Sequence, residues 1–151
     1  MEQKELVKKL ETLQKTDYDA LQSYDKALER IDDDELKNQI LQFRKDHERH
    51  IYSISDLLRT MGLTPSSSFP DLKGVFLQGI TAIEGLSGTE GVLKALEKGE
   101  IMTNDEYAEA DTWFVDPKIH EIITSNYKDE KKHLNFIRNA IKDKIWEKRD
   151  H

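Results

Sequence analysis

All seven glycines of this 151-residue chain fall between Gly62 and Gly99, and two of its three prolines, Pro65 and Pro70, lie in the same stretch. Residues 1–61 and 100–116 contain neither residue type, and nothing beyond Pro117 does. Glycine and proline are the strongest interrupters of a helix, so this distribution reads as long helices flanking a punctuated middle. Charged residues make up 35% and hydrophobic residues 36%. Such a composition suits helices with wide solvated faces and narrow apolar stripes. The length is that of one ordinary domain.

The stripes can be followed residue by residue. A first long helix is expected from Gln3 to Ile31, with Leu6, Leu10, Leu13, Asp17, Ala20, Tyr24, Ala27 and Ile31 facing inward. Those steps alternate three and four, the seam of a helix bundle. Asp32-Asp33-Asp34-Glu35 supplies N-cap and capping-box chemistry for a second helix. Its seam is Leu36, Ile40, Phe43, His47, His50, Ile54, Leu57 and Met61, with Gly62 as C-cap. Leu63 to Pro70 reads as a Ser/Pro loop, and Asp71 to Leu86 as a short amphipathic helix through Leu72, Val75, Phe76, Ile80 and Ile83. Ser87-Gly88-Thr89-Glu90 restarts a helix with another capping box, carrying Leu93, Leu96, Glu100, Thr103, Tyr107, Ala110 and Phe114 inward. Asp116-Pro117 is an N-cap followed by proline at the first helical position. The last helix then presents Ile119, Ile123, Asn126, Glu130, His133, Ile137, Ala140 and Lys144, and its basic final turns through Trp146 are expected to project outward. Trp113 and Trp146 read as packing or interface residues.

A constant offset of 83 relates the first helical pair to the second. Leu10 falls on Leu93, Leu13 on Leu96, Tyr24 on Tyr107 and Ala27 on Ala110. Asp33 falls on Asp116, Asp46 on Asp129, His50 on His133 and Ile54 on Ile137, with no gap. A shared heptad would match apolar classes but not Tyr, Asp and His at seam positions. The pattern is that of two related helical hairpins facing each other.

Six of the seam residues are carboxylates or histidines: Asp17, His47, His50, Glu100, Glu130 and His133. The same offset pairs Asp17 with Glu100, His47 with Glu130 and His50 with His133. An antiparallel arrangement brings all six to one level. Burying such groups without partners costs several kcal/mol each, so a core that contains them must neutralise them. A buried network of carboxylates and histidines would do so, and so would metal ions. Three carboxylates and three imidazoles form a donor set suited to Fe, Mn or Zn.

Composition removes other classes. The absence of cysteine excludes disulfide scaffolds, thiol catalysis and thiolate metal sites. A net charge of -7 speaks against a nucleic-acid partner. No apolar run approaches the ~20 residues of a membrane span, and no basic-then-apolar leader opens the chain. Neither a membrane nor a nucleic-acid partner is therefore expected, and a cytoplasmic location is.

Glu130-Lys131-Lys132-His133, preceded by Asp129, matches the Glu-x-x-His motif that di-metal carboxylate bundles carry on a core helix. Gly99-Glu100 followed by Tyr107 matches the Glu of the partner helix, and Asp17 with Tyr24 repeats that spacing. On these residues the chain resembles the ferritin-like di-iron carboxylate superfamily, particularly its rubrerythrin-like members, and small bacterial ferritin-like bundles. The resemblance spans roughly residues 3–145. It implies an all-α, antiparallel four-helix bundle of ferritin-like type with a long crossover between the second and third bundle helices, containing a short extra helix. Residues 1–151 would form a single ferritin-like domain, with hairpins at about 3–62 and 88–146 and the crossover at 63–87.

The resemblance further implies a metal site of Asp17, His47, His50, Glu100, Glu130 and His133, with two iron ions if the family pattern holds, or Mn or Zn. Tyr24, Asp46, Tyr107 and Asp129 would surround it. In related families the Asp equivalent to Asp46 or Asp129 bonds a ligand histidine; the other reading of each is a solvated helix charge. Where the family has Glu, this chain has Asp17 and His47. The family's Glu at the His47 position generally bridges the two metals, which an imidazole does not easily do, and Glu48 lies about 100° around the helix. One metal, an asymmetric pair or none are all compatible with these substitutions.

The function expected by analogy is that of a metal-binding ferritin-like protein. Its chemistry would be oxidation of iron, or reduction of oxygen or peroxide, at a two-metal centre. The alternative is a structural or interaction bundle with a degenerate, metal-free site. An iron-storage cage ranks last, because nothing in the sequence encodes a shell. A homodimer is compatible with the sequence, and redox activity would be expected to call for a separate electron donor, since these 151 residues hold none of the cysteines of rubrerythrin's electron-transfer domain.

Overall fold

A computed structural model describes residues 1–65, 74–85 and 88–147. Among the described residues there are five α-helices and no strand: α1 (Gln3–Leu28), α2 (Asp34–Thr60), α3 (Gly74–Gly85), α4 (Thr89–Ala110) and α5 (Pro117–Asp143). Loop residues 66–70, the start of the short helix at Asp71 and Leu72, its end at Leu86, and Ser87 of the second capping box lie outside the described residues.

Local chemistry sets the helix ends. Asp33 caps α2, its Oδ2 accepting from the Leu36 N–H at 2.9 Å. Asp116, its counterpart in the repeat, caps α5 by accepting from Lys118 N–H at 2.9 Å, and Pro117 follows at the first helical position. The cap on Asp33 puts Leu36, not the Glu35 of the expected capping box, at the third helical position. The cap of α4 is Gly88, without a side-chain bond. Gly62 closes α2 at φ +82°, a left-handed conformation that glycine adopts without steric cost. The Gly62 N–H donates to the Arg59 carbonyl and the Leu63 N–H to the Leu58 carbonyl, satisfying the last turn.

Three expected positions change. The first helix stops at Leu28 rather than Ile31, because the chain must turn within a few residues to set Asp33 in its extended cap conformation. Ile31 is buried nonetheless. Phe114, expected on the α4 seam, is 95% exposed. The helix ends at Ala110, so helical periodicity no longer governs Phe114, and Trp113 and Val115 turn toward the core instead. The end of α5 does not project. Lys144 takes a left-handed conformation and is exposed rather than inward, and the reversal folds Ile145 and Trp146 back onto the core.

The apolar core forms two clusters. One contains Tyr24 and Ala27 from α1, Leu36, Ile40 and Phe43 from α2, Leu93 and Leu96 from α4, and Ile137 and Ala140 from α5. The other contains Leu6, Leu10 and Leu13, then Ile54, Leu57 and Leu58, then Tyr107 and Ala110, then Ile123. On every long helix the ionisable seam residues fall between the members of the two clusters. The order of clusters along the chain is reversed on α2 and α4 relative to α1 and α5. One polar layer therefore lies between two apolar ones. Outside it, α3 packs on α1 and α4 through Phe76, Ile80 and Ile83. Gly99 permits this approach: a Cβ there would stand 3.0 Å from the Phe76 ring. Among the described residues no helix is long and apolar enough to cross a membrane.

Candidate metal centre

Asp17, His47, His50, Glu100, Glu130 and His133 all turn inward and are buried to within 1% of full enclosure. Asp17 Oδ1 lies 2.9 Å from His47 Nδ1 and 3.1 Å from His50 Nδ1. Glu100 Oε1 lies 2.9 Å from His47 Nε2 and 3.4 Å from His133 Nδ1. Glu130 reaches both sides: Oε1 is 2.9 Å from His50 Nδ1, and Oε2 is 3.4 Å from His133 Nδ1. The donors form two groups of four, Asp17–His47–His50–Glu130 and His47–Glu100–Glu130–His133, each with its donor atoms within 4.8 Å of one another. His47 and Glu130 belong to both.

The surrounding contacts cross between hairpins. Tyr24 OH donates to Glu100 Oε1 at 2.5 Å, and Tyr107 OH, its counterpart in the repeat, donates to Asp17 Oδ2 at 2.5 Å. Asp129 Oδ2 lies 2.9 Å from His50 Nε2, and Asp46 Oδ2 lies 2.8 Å from His133 Nε2. A carboxylate only accepts, so both histidines carry a proton on Nε2 and aim Nδ1 at the centre. Asp46 and Asp129 are thus histidine partners rather than solvated charges alone. Arg49 spans the pair, donating to Asp46 Oδ1 at 2.9 Å and Asp129 Oδ2 at 2.5 Å.

Three supporting residues escape sequence reasoning. Arg49 stands three residues after Asp46, which is its one sequence signal, but its repeat counterpart is Lys132. Asn104, one turn beyond Glu100, donates to the backbone carbonyls of Glu100 and Glu130 at 2.8 and 3.0 Å, tying α4 to α5 beside the centre. Gln14 ties α1 to α2 by donating to the Ile51 carbonyl and Ser55 Oγ at 2.8 and 2.7 Å. Its repeat counterpart is Glu97, so nothing in the sequence marks it.

The donors are under-satisfied. Glu100 Oε2, both Glu130 oxygens and His133 Nδ1 are buried without a hydrogen bond. Glu130 Oε1 is close to His50 Nδ1, but the approach does not meet hydrogen-bond geometry, and that ring nitrogen also faces Asp17. A buried unsatisfied polar atom costs about 1–3 kcal/mol, so four at one place require a compensating partner. Carboxylate oxygens and inward ring nitrogens around a common space are the donor types that bind Fe, Mn or Zn, and these residues fit such ions.

Charge tells a second part. Burial alone would lower the histidines, but Glu130 and Glu100 outweigh it and push His47 up to about 9. Burial likewise opposes protonation of His133, yet Asp46, Glu100 and Glu130 push it up to about 12. His50 also rises, against burial, through Asp17 and Asp129. Burial pushes the other way on Asp17, but the histidines bring it down to about 2, and Glu100 falls through His47 and His133. Glu130 is raised by burial and by Glu100. Burial and the neighbouring carboxylates hold Tyr24 and Tyr107 well above the usual phenol range, so both remain donors. Without metal, protons on the histidines supply the positive charge that the carboxylates require.

No curated protein and no solved structure matches the chain. The family described as "Domain of unknown function (DUF2383)" matches residues 5–112. That span holds α1 to α4, with Asp17, His47, His50 and Glu100, and ends before α5 brings Glu130 and His133. A match over most of the sequence, carried through four of the five helices, makes this chain a member of the DUF2383 family.

Proposed function

We propose that this protein is a metal-binding protein of ferritin-like type. In this reading α1, α2, α4 and α5 form an antiparallel four-helix bundle in a single domain, and α3 belongs to the crossover. Asp17, His47, His50 and Glu130 would hold one ion, and His47, Glu100, Glu130 and His133 would hold a second. The observation that carries the reading is the set of four orphaned donor atoms on Glu100, Glu130 and His133 at the point where the helices converge.

When bound, iron or manganese supplies redox chemistry toward oxygen or peroxide, and zinc supplies Lewis acidity. The chain's own residues do the rest. Asp46 and Asp129 fix the ring orientation of His133 and His50 and keep their protons on Nε2. Tyr107 and Tyr24 hold the carboxylates of Asp17 and Glu100 by hydrogen bonds. The two apolar clusters keep water from the layer between them. Iron, with ferroxidase or peroxide-reducing activity and a separate electron donor, is the redox form of this proposal.

A structural bundle without metal is the second reading. It is favoured by the ion pairs that the protonated histidines make with Asp17 and Glu100. Thermal melting separates the two. At 100 times its Kd a ligand stabilises the native state by about 2.7 kcal/mol. For a chain of this size that raises Tm by about 5–10 °C. Melting with Fe²⁺, Mn²⁺ or Zn²⁺ against chelator should show such a rise for at least one ion, whereas superimposed curves for all three would favour the metal-free bundle.

A further inference from the structure

His47 differs from the other two histidines of the centre. His50 and His133 each commit Nε2 to an outer carboxylate and offer only Nδ1 inward. His47 has no outer partner. Its Nδ1 faces Asp17 Oδ1 at 2.9 Å and Glu130 Oε1 at 3.3 Å, in the first donor group. Its Nε2 faces Glu100 Oε1 at 2.9 Å, in the second. The ring is held in this attitude by its neighbours, with Tyr24 and His133 centroids at 5.2 and 5.1 Å. It stands as a partition between the two groups, with one nitrogen on each side.

From this geometry we infer that His47 bridges two metal ions as an imidazolate, Nδ1 binding the ion of the Asp17–His50 side and Nε2 the ion of the Glu100–His133 side. The inference rests on the metal-binding reading above and goes beyond it in assigning the bridge.

Charge supports the assignment. Asp17, Glu100 and Glu130 supply three negative charges, one short of balancing two divalent ions. As both His47 nitrogens form metal bonds, both ring N–H protons leave to solvent. The resulting imidazolate supplies the fourth negative charge. His50 and His133 stay neutral, because their remaining protons are held by Asp129 and Asp46. An imidazole at this position thereby takes over both duties of a bridging glutamate, spanning the ions and balancing their charge. Glu130 adds a second link, with Oε1 on one side and Oε2 on the other.

The bridge has a measurable width. Metal–nitrogen bonds of about 2.0–2.1 Å on opposite edges of one ring place the ions about 6 Å apart. A pair joined only by carboxylate or solvent oxygens lies about 3.5–4 Å apart. Crystals of the Zn²⁺-loaded protein, measured at the zinc edge, should show two anomalous peaks about 6 Å apart flanking the His47 ring. In solution, protein with two equivalents of Cu²⁺ should give the electron paramagnetic resonance of an antiferromagnetically coupled pair. A single peak, or two peaks about 3.5–4 Å apart with His47 on only one, would overturn the bridge and leave the metal-binding reading standing. One bound Cu²⁺, or two uncoupled signals of full intensity, would do the same. No bound metal of either kind would overturn both.

Discussion

Replacing His47 by glutamate perturbs the centre where its charges are most crowded. In the metal-free protein His47 stands between Asp17 and Glu100, each at 2.9 Å, with Glu130 at 3.3 Å. His47→Glu removes that cation and adds a fourth buried carboxylate. Breaking one buried ion pair costs about 3–5 kcal/mol. Like charges about 4 Å apart at an effective dielectric of about 20 repel by a further ~4 kcal/mol, but a carboxylate escapes this by taking up a proton at about 1.4 kcal/mol per unit of pKa. The net cost at neutral pH should therefore stay near 3–5 kcal/mol, a fall in Tm of about 6–20 °C. The sign of its pH dependence follows from linkage. Carboxyls raised in the folded variant bind more protons there than in the unfolded chain, so the variant gains stability as pH falls. The parent gains less over the same range: Glu130 is raised and the raised histidines add stability only until pH reaches about 6.5, while Asp17 sits near 2 and Glu100 is lowered. Melting both proteins in chelator at pH 7 and pH 5 should show the gap narrowing in acid. Added Mn²⁺ or Fe²⁺ should stabilise the variant more than the parent, because metal relieves the repulsion. Equal apo stability at neutral pH, or a gap unchanged between the two pH values, would refute the reasoning.

Metal affinity should climb as pH rises from 6 to 9, because the ion displaces protons from His47 and His133, held up at about 9 and about 12; a flat affinity profile would contradict this. For the metal-free protein, stabilisation from these raised histidines is complete below the unfolded value of about 6.5 and fades as pH rises through their folded values. That from Asp17 and Asp46, both near 2, is complete above about 4 and fades in acid. Chelated melts should accordingly peak between about pH 4 and 6.5. Asp46→Asn and Asp129→Asn should each weaken metal binding about 10–100-fold by removing the acceptor that orients His133 or His50; unchanged titration curves would show that neither aspartate matters. Phe76→Ala should cost about 3–5 kcal/mol through the cavity left against Gly99, without altering the number of metals bound, as melting and metal analysis can check.

The layered plan was legible because the 83-residue offset carries polar as well as apolar residues. Asp33 and Asp116 both cap, Tyr24 and Tyr107 both donate to a core carboxylate, and Asp46 and Asp129 both meet a histidine. The sequence could not indicate that these contacts cross, each hairpin's tyrosine and aspartate serving the other hairpin's ligand. Periodicity also failed at helix ends. Phe114 and Lys144 continue their seams on paper, but α4 and α5 have already stopped, and a stripe has meaning only while the helix lasts. Gln14 and Asn104 were invisible for another reason: each satisfies backbone or hydroxyl groups of a neighbouring helix, and such needs exist only after packing. His47 looked like a lost bridge when judged by residue type. Only the placement of its two nitrogens, one toward each donor group, supports the bridge proposed for it.

The most direct measurement is the number of metal ions bound per chain at equilibrium. Protein purified without chelator, dialysed against Fe²⁺, Mn²⁺ or Zn²⁺ at neutral pH and assayed by elemental analysis, should hold two equivalents of at least one of these ions. Glu130→Ala, which removes a donor from both groups, should lower that number while the chain remains helical by circular dichroism. Zero bound equivalents of all three ions in the folded parent protein would contradict the metal centre outright.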